Sequence, residues 1–291
     1  MVRAAGGFFT VRTDTGNEYH CKARGMLKRG DAALMVGDRV IFNPEAGPPG
    51  ASGQDGVVEK LLPRSNRLTR PSVANIDQLV VVMSLKDPAC DWQLVSRMLV
   101  LAEKENLKSL VCLNKTDLLE DKSLKSVQSE TTPYPYPLIF TSAKKGNGLD
   151  KLRSALDGNC SVFAGPSGVG KSSLLNALQP GLKLKTGIVS DKIRRGKHTT
   201  RQAELLALLN GGSVVDTPGF TRLEFQDLSQ AELSAYFPEF DPLLGRCGFR
   251  DCLHITEPNC AVINEVGSSI NSMRYDHYKY FAEEIGKGEG Y

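Results

Sequence analysis

Alternating apolar and polar residues, broken by turn residues, fill the first part of the chain. The alternation runs through the segments 8–13, 18–24, 37–42 and 56–62, and a stretch rich in Gly and Pro lies at 43–56. About five short strands within about sixty residues are typical of a small antiparallel barrel of the OB type. The open face of such a barrel commonly binds oligonucleotides, although a barrel that serves only as a spacer would show the same pattern.

The pattern changes after residue 66. Helix-like stretches such as 92–106 now alternate with apolar runs at 78–83, 109–113, 137–141, 160–164 and 212–215. This alternation predicts a mostly parallel sheet with helices on both faces. From about residue 225 the chain consists of short helical pieces, and 272–285 reads as a terminal helix. We therefore expect three domains: an OB-like β-barrel at 1–66, an α/β domain at 67–224 and a small helical domain at 225–291.

Composition and charge exclude several classes of protein. The 291 residues are 41% hydrophobic and 24% charged, as in globular proteins, and the formal net charge is +3. No apolar run approaches the roughly 18 residues of a membrane-spanning helix, and the first residues lack the apolar core of a signal peptide. We therefore expect a cytoplasmic protein that binds no membrane. The mild positive charge is compatible with nucleic-acid binding without requiring it.

A phosphate-binding loop lies at 165–172, where the residues match G-x-x-x-x-G-K-[ST] without a mismatch. The loop follows a predicted strand and opens a predicted helix, which is the context that such a loop requires. Its glycines allow successive backbone N–H groups to turn inward around phosphate oxygens. Lys171 would reach the β- and γ-phosphates, and the Ser172 hydroxyl would ligate Mg²⁺. The residues assigned to phosphate binding are Gly165, Gly168, Gly170, Lys171, Ser172 and Ser173.

The tetrapeptide 114–117, Asn-Lys-Thr-Asp, ends another apolar run and predicts recognition of guanine. The carboxylate of Asp117 can accept hydrogen bonds from both N1–H and N2–H₂ of guanine, donors that adenine does not present together. Lys115 would lie along the base, and Asn114 would tie this loop to the phosphate side. By itself the tetrapeptide could also be an ordinary exposed turn.

Two further motifs strengthen the prediction of a GTP site. Ser142, Ala143 and Lys144 follow an apolar run and resemble the loop whose Ala N–H contacts guanine O6. Asp216 and Gly219 belong to an Asp-x-x-Gly motif that resembles switch II of GTP-binding proteins. In that motif the Asp holds Mg²⁺ through water and the Gly N–H meets the γ-phosphate. An ATP-dependent enzyme would leave both base-reading motifs unexplained.

The order of these motifs is unusual, because base recognition precedes the phosphate loop and switch II comes last. Parallel strands place their loops at one edge of a sheet whatever the chain order, so a circular permutation leaves such a site intact. The sequence therefore predicts a circularly permuted P-loop GTPase domain that binds GTP or GDP with Mg²⁺. Switch II then runs directly into the C-terminal domain. We expect the nucleotide state to be transmitted to that domain.

Candidate groups for hydrolysis lie between the phosphate loop and switch II. Phe220 follows the Asp-x-x-Gly motif and cannot orient a water molecule, so another residue must do so. His198 is the nearest candidate, because its side chain titrates near pH 7, although it could also be a solvated loop residue. A threonine in this segment, Thr199 or Thr200, would ligate Mg²⁺. The surrounding basic residues form either a solvated face or a contact with RNA.

A cluster of metal ligands lies near the C-terminus. Its residues are Cys247, Cys252, His254 and Cys260. Three thiolates and one imidazole complete a tetrahedral shell, which suits one structural zinc ion and leaves no position for a catalytic water molecule. The segment is too short to bury a large core, so metal binding would supply much of its folding free energy.

Taken together, the barrel, the motif order and the Cys/His segment resemble the RsgA family, circularly permuted GTPases that assist assembly of the small ribosomal subunit. The segments 74–88 and 196–201 are also similar to that family. The resemblance implies a GTP hydrolase that binds the small ribosomal subunit and its rRNA, assists late maturation and leaves after hydrolysis. We expect the protein to be a monomer. It also implies Thr200 rather than Thr199 as the Mg²⁺ ligand. An RNA-binding GTP switch of another pathway, in which hydrolysis is incidental, remains the alternative.

Overall fold

The computed structural model describes residues 1–28, 33–44, 55–68, 72–182, 204–209, 211–216, 225 and 227–289. The chain divides into two compact units. The first comprises Met1–Val80, Asp150–Ser167 and Lys171–Phe220, and the second Val81–Leu149, Gly168–Gly170 and Thr221–Tyr291. Within the described ranges, no helix has the length and apolar character needed to span a membrane.

The first unit begins with a five-stranded barrel whose strands follow the order β1-β2-β3-β5-β4. They are β1 (Arg3–Ala5), β2 (Phe8–Arg12), β3 (Glu18–Ala23), β4 (Val40–Asn43) and β5 (Asp55–Leu61). All neighbouring pairs are antiparallel except β3 and β5, which are parallel. The predicted OB-like barrel is confirmed, but the expected antiparallel pairing is wrong for β3 and β5. A parallel pair arises because β4 intervenes in the chain and lies at the far side of β5, as in a Greek-key barrel.

The barrel has a small apolar core, and a buried ion pair lies in the same unit. Val11, Cys21 and Val58 are fully or almost fully buried, and aromatic rings of neighbouring strands pack against them. The side chain of Asp38 is inaccessible to solvent and accepts hydrogen bonds from Arg64 Nε at 2.7 Å and from the Met35 N–H at 2.8 Å. Because a buried carboxylate needs such partners, this pair holds the segment before β4 against the segment that leaves the barrel.

The same unit contains the strand that leads to the phosphate loop. In it β11 (Cys160–Ala164) pairs in parallel with β13 (Ser213–Asp216), and β13 pairs antiparallel with β12 (Glu204–Ala207). β12 in turn contacts the barrel through the register pair Arg3 and Glu204. The predicted strand at 160–164 is confirmed in full. The unit also holds the short antiparallel pair β6 (Arg67–Leu68) and β7 (Val73–Ala74), with helices α3 (Leu149–Leu156) and α4 (Lys171–Leu178).

In the second unit three strands lie in the order β10-β9-β8. They are β8 (Gln78–Ser84), β9 (Lys108–Asn114) and β10 (Leu138–Phe140). The division between the two units falls inside β8. β9 and β10 are parallel. All seven residues of β8 are buried, which explains its unbroken apolar run, since a strand inside a parallel sheet is covered on both faces. α1 (Trp92–Lys104) begins where the Asp91 carboxylate accepts the Leu94 N–H at 2.9 Å. α2 (Asp121–Glu130) precedes β10.

The C-terminal segment of the second unit builds its own aromatic core. Phe237, Phe240, Tyr278 and Phe281 are fully buried there, and Val100 of α1 belongs to the same cluster. The segment contains a 3₁₀ turn (Leu233–Tyr236), α5 (Ala261–Asn264) and α6 (Ser272–Glu289). The terminal helix predicted at 272–285 is confirmed and continues by one further turn. The shared core means that the C-terminal segment and α1 pack as one body.

Candidate nucleotide site and metal cluster

The phosphate loop begins directly after β11 and ends where α4 begins. Three of its glycines have positive φ angles: 150° at Gly165, 84° at Gly168 and 98° at Gly170. A Cβ atom at position 170 would lie 2.3 Å from Asn114 Nδ2, so this position requires glycine both for its conformation and for space. Lys171 Nζ donates to the carbonyl oxygens of Gly165 and Pro166, each at 2.7 Å. The Lys171 side chain therefore folds over the phosphate loop, where it was predicted to reach the phosphates of the nucleotide.

Asn114, the last residue of β9, connects the base-reading loops with the phosphate loop. Its side chain is 1% exposed, and Nδ2 donates to the carbonyl oxygen of Val169 at 2.9 Å. Its Oδ1 accepts the Ala143 N–H at 3.2 Å and the Thr141 hydroxyl at 3.3 Å. The side-chain amide of Asn114 therefore links three loops: its own loop, the phosphate loop and the loop at 141–143. This is the tie to the phosphate side that the sequence assigned to Asn114.

Asp117, the residue expected to read guanine, is oriented by the neighbouring loop. The Ser142 hydroxyl donates to Asp117 Oδ1 at 2.5 Å and accepts the Lys145 N–H at 3.0 Å. A carboxylate fixed in this way can present its acceptors to N1–H and N2–H₂ of guanine without losing side-chain entropy on binding. Lys144 follows on the same loop and is exposed. The structure therefore brings the two predicted base-reading motifs into direct contact.

Sequence reasoning did not assign to the site a fourth loop at this edge, the segment 84–88 at the end of β8. Its fold is set locally, because the Ser84 hydroxyl donates to the Pro88 carbonyl oxygen at 2.5 Å. The Leu85 N–H donates to the Asn114 carbonyl oxygen at 3.1 Å, and Lys115 Nζ donates to the Asp87 carbonyl oxygen. Residues 84–88 follow the strand next to β9, so the rule that ligands bind at carboxyl ends of parallel strands would have pointed to them.

The remaining residues predicted for the nucleotide site divide into two groups. Ser172 and Ser173 lie in the first turn of α4 and are half-buried, and Asp216 is the last residue of β13. His198, Thr200 and Gly219 lie outside the described residues, as do Thr199 and Phe220.

The four predicted metal ligands lie together, with one donor atom of each within 4.8 Å of the others. Cys247 Sγ is 3.8 Å from Cys260 Sγ and 3.5 Å from His254 Nδ1, and His254 Nδ1 is 3.3 Å from Cys260 Sγ. A tetrahedral zinc ion with Zn–S of about 2.3 Å and Zn–N of about 2.0–2.1 Å would give edges of about 3.8 Å and about 3.5 Å. The donor set therefore fits one tetrahedral ion.

Neighbouring groups hold the metal-ligand loop in shape. The Tyr275 hydroxyl donates to the His254 carbonyl oxygen at 3.0 Å, and the Glu257 carboxylate accepts the Leu253 N–H at 2.7 Å and the Ile255 N–H at 2.8 Å. Desolvation, reinforced by the neighbouring thiols, raises the pKa of Cys252 to about 12. Crowded thiols of this kind become thiolates only when a cation compensates their charge, so the cluster has the chemistry of a metal site.

Comparisons with known proteins agree with this geometry. The family models described as RsgA GTPase and RsgA N-terminal domain match residues 61–226 and 1–51. The small ribosomal subunit biogenesis GTPases RsgA of Moorella thermoacetica and Carboxydothermus hydrogenoformans are each 44% identical to the chain. They cover 98% and 99% of it, and the matches span 96% and 98% of their own lengths.

Solved structures show the same architecture. YjeQ from Thermotoga maritima is 40% identical and superposes with a TM-score of 0.83, with 98% of this chain and 96% of that chain covered. YloQ, described as a circularly permuted GTPase, is 34% identical with a TM-score of 0.79, with coverage of 98% and 93%. The predicted circular permutation and the fold class are thereby confirmed. The chain belongs to the RsgA GTPase family.

Proposed function

We propose that this chain hydrolyses GTP on the small ribosomal subunit, assists late maturation of that subunit and leaves it after hydrolysis. The observation that carries the proposal is the position of Asn114, whose amide joins the phosphate loop at Val169 to the base-reading loop at Ala143. This arrangement suits a nucleotide, because base and phosphates are then held by loops of fixed separation, and the Asp117 carboxylate oriented by Ser142 favours guanine. The names of the relatives support the small ribosomal subunit as the place of action.

In this proposal the nucleotide is bound by residues of five loops. Asp117 accepts from N1–H and N2–H₂ of guanine, Lys115 lies along the base, and the Ala143 N–H meets O6. Ser142 positions Asp117, as its hydrogen bond to Oδ1 supports. Lys144 lies beside the base. The phosphates are held by backbone N–H groups of the glycines and by the side chains of the lysine and the two serines in the set Gly165, Gly168, Gly170, Lys171, Ser172, Ser173 and Gly219. Ser172 and Thr200, with Asp216 through a water molecule, would hold Mg²⁺, and that ion would supply positive charge against the phosphates.

Hydrolysis requires a water molecule in line with the bond that breaks. The water oxygen bonds to the γ-phosphorus while the bond from that phosphorus to the β–γ bridging oxygen breaks, and GDP leaves with the electron pair. We assign His198 to orienting this water, because Phe220 offers no hydrogen-bonding group. Lys171 stabilises negative charge on the phosphate oxygens during the transfer. The segment 192–201, which contains His198 and Thr200, is rich in Lys and Arg. Phosphate groups of rRNA are therefore suited to hold this segment in its active position.

The two other parts of the chain serve as contacts with rRNA. Along the chain, the barrel (1–66) precedes the GTPase domain (67–224) and the C-terminal domain (225–291) follows it. The four Cys/His residues would hold one structural Zn²⁺. The 3.3–3.8 Å separations within the cluster support zinc. We propose a monomer that acts in the cytoplasm, where small ribosomal subunits mature.

GTP turnover in the presence of purified small ribosomal subunits tests this proposal, with large subunits and ATP as controls. We expect strong stimulation that is specific to GTP and to small subunits, and we expect His198→Ala to remove it while leaving GDP affinity unchanged. No stimulation by either subunit would refute the ribosomal part. If His198→Ala abolishes turnover but the protein still leaves the subunit at the normal rate, the chain is an RNA-binding switch in which hydrolysis is incidental.

A further inference from the structure

The loop between the first two metal ligands presents an aromatic side chain to solvent. Phe249 is 50% exposed, whereas Phe237 and Phe240 of the same domain are fully buried. Phe281 is also fully buried and Phe225 packs partly buried against the same core, so Phe249 is the phenylalanine of this domain that lies outside the core. A single exposed phenylalanine is common on protein surfaces, so the charges beside this ring and the rigidity of its loop decide what it can bind.

Two arginines lie on either side of Phe249 in the sequence. Arg246 and Arg250 are exposed, and within the described part of the chain neither guanidinium forms an ion pair or a hydrogen bond. Asp251 is the one acidic residue of the loop, and neither arginine pairs with it. The loop therefore offers two uncompensated positive charges beside a solvent-exposed ring.

The base of the loop is held firmly, although its tip is exposed. Cys247 and Cys252, at its two ends, belong to the metal cluster. The Gly248 N–H donates to the Asn259 carbonyl oxygen at 3.0 Å, and a Cβ atom at position 248 would lie 3.2 Å from Asn259 Cβ. This close contact fixes one side of the loop against the segment before Cys260. A ring presented on such a loop loses little conformational entropy when it binds a partner.

We propose that the loop 246–251 binds an unpaired nucleotide of RNA. The base stacks on the ring of Phe249, and Arg246 and Arg250 contact the phosphates on either side. Every nucleobase has a π-face that stacks on an aromatic side chain, and the phosphates supply the negative charge that the two guanidinium groups lack. An apolar protein surface would satisfy the ring but would leave both charges without partners. The inference rests on the proposed function, because it names the contact that this domain makes with rRNA.

Binding of a short single-stranded uridine RNA and of purified small ribosomal subunits tests the inference. We expect Phe249→Leu, which keeps an apolar side chain but removes the π-face, to weaken both interactions by roughly 5- to 150-fold. Phe249→Tyr keeps the ring and should bind nearly as well as the wild type. Tyr280→Leu is the matched control, because Tyr280 is a 52% exposed aromatic residue of the same domain and should not matter. Arg250→Gln should lower the slope of log affinity against log salt by about one.

Metal content, melting temperature and basal GTP turnover of each variant should equal those of the wild type. Equal binding by Phe249→Leu and wild type would overturn the inference, as would a wild type that does not bind the RNA. A loss of subunit binding without a loss of RNA binding would identify a ribosomal protein as the partner and would also overturn it. If the wild type binds the RNA through Phe249 but neither binds nor responds to small subunits, the proposed function fails and the RNA site stands.

Discussion

A buried ion pair in the C-terminal segment provides the sharpest test of the packing described above. Arg274 Nε lies 2.5 Å from Glu239 Oε1, and the two side chains are 0% and 6% exposed. The guanidinium carbon is also 4.6 Å from the ring centroid of Phe237 and 5.2 Å from that of Tyr136. Tyr136 precedes β10, which leads to the base-reading loop. The pair therefore joins the C-terminal segment to the GTPase part of the same unit.

The expected cost of removing one partner follows from this burial. A buried guanidinium without its carboxylate costs about 3–5 kcal/mol of the free energy of unfolding. The aromatic rings around Arg274 retain about 0.5–2 kcal/mol of cation–π attraction, so we expect the lower end, about 3 kcal/mol, for Glu239→Gln. Replacing both residues, as in Glu239→Leu with Arg274→Met, removes the buried charge altogether. That double variant should be close to wild type in stability.

Equilibrium unfolding followed by tryptophan fluorescence measures these changes. Trp92, the single tryptophan of the chain, lies with its ring centroid 5.9 Å from that of Tyr134, which in turn lies 5.9 Å from the Arg274 guanidinium carbon. Its emission therefore reports on this part of the fold. Glu283→Gln is the matched control, because Glu283 forms an exposed ion pair with Lys287 at 2.7 Å. It should leave the unfolding curve unchanged.

Two results would refute the reasoning about this pair. The first is a Glu239→Gln variant that unfolds at the same denaturant concentration as Glu283→Gln. The second is a double variant as unstable as Glu239→Gln alone, because the loss would then come from altered packing rather than from an uncompensated charge.

Three further changes have defined outcomes. Asp117→Asn should change the preference from guanine to xanthine, because the new side-chain amide donates a hydrogen bond where the carboxylate accepted one. Competition between GTP and XTP measures this preference, and an unchanged preference for GTP would exclude Asp117 as the residue that reads the base. Gly170→Ala should abolish GDP binding in a fluorescence titration while the circular dichroism spectrum persists, because its Cβ would lie 2.3 Å from Asn114 Nδ2 at a φ of 98°. A zinc chelator should lower the melting temperature and make the cluster thiols react with a thiol reagent, whereas unchanged melting would contradict a structural metal.

Much of the site was predictable because its motifs encode local backbone geometry. The glycines of the phosphate loop adopt the positive φ angles that their residue type favours, and Asn114 ends β9 as its place after an apolar run indicated. The four predicted metal ligands were likewise proposed from residue type and spacing, and their donor atoms do converge. Each of these features depends on a few neighbouring residues, and such features can be read directly along the chain.

Features that depend on distant residues were not predictable in this way. The β1 strand, three residues long, is too short to show a period of two, and the parallel pairing of β3 with β5 depends on where β4 lies. The loop 84–88 belongs to a segment that resembles the family but contains no recognised nucleotide-binding motif, and its contacts with Asn114 and Lys115 follow from strand order.

The sequence by itself determined the order of the motifs, which required circular permutation, and it predicted a guanine-reading loop, a phosphate loop and a set of metal ligands. Only the tertiary structure decided how these parts are joined. Glu239 and Arg274 are 35 positions apart and both look like surface residues in the sequence, yet they form a buried pair among aromatic rings. The physical reason is that a motif specifies local conformation and reactivity, whereas burial and pairing depend on which distant surfaces pack together.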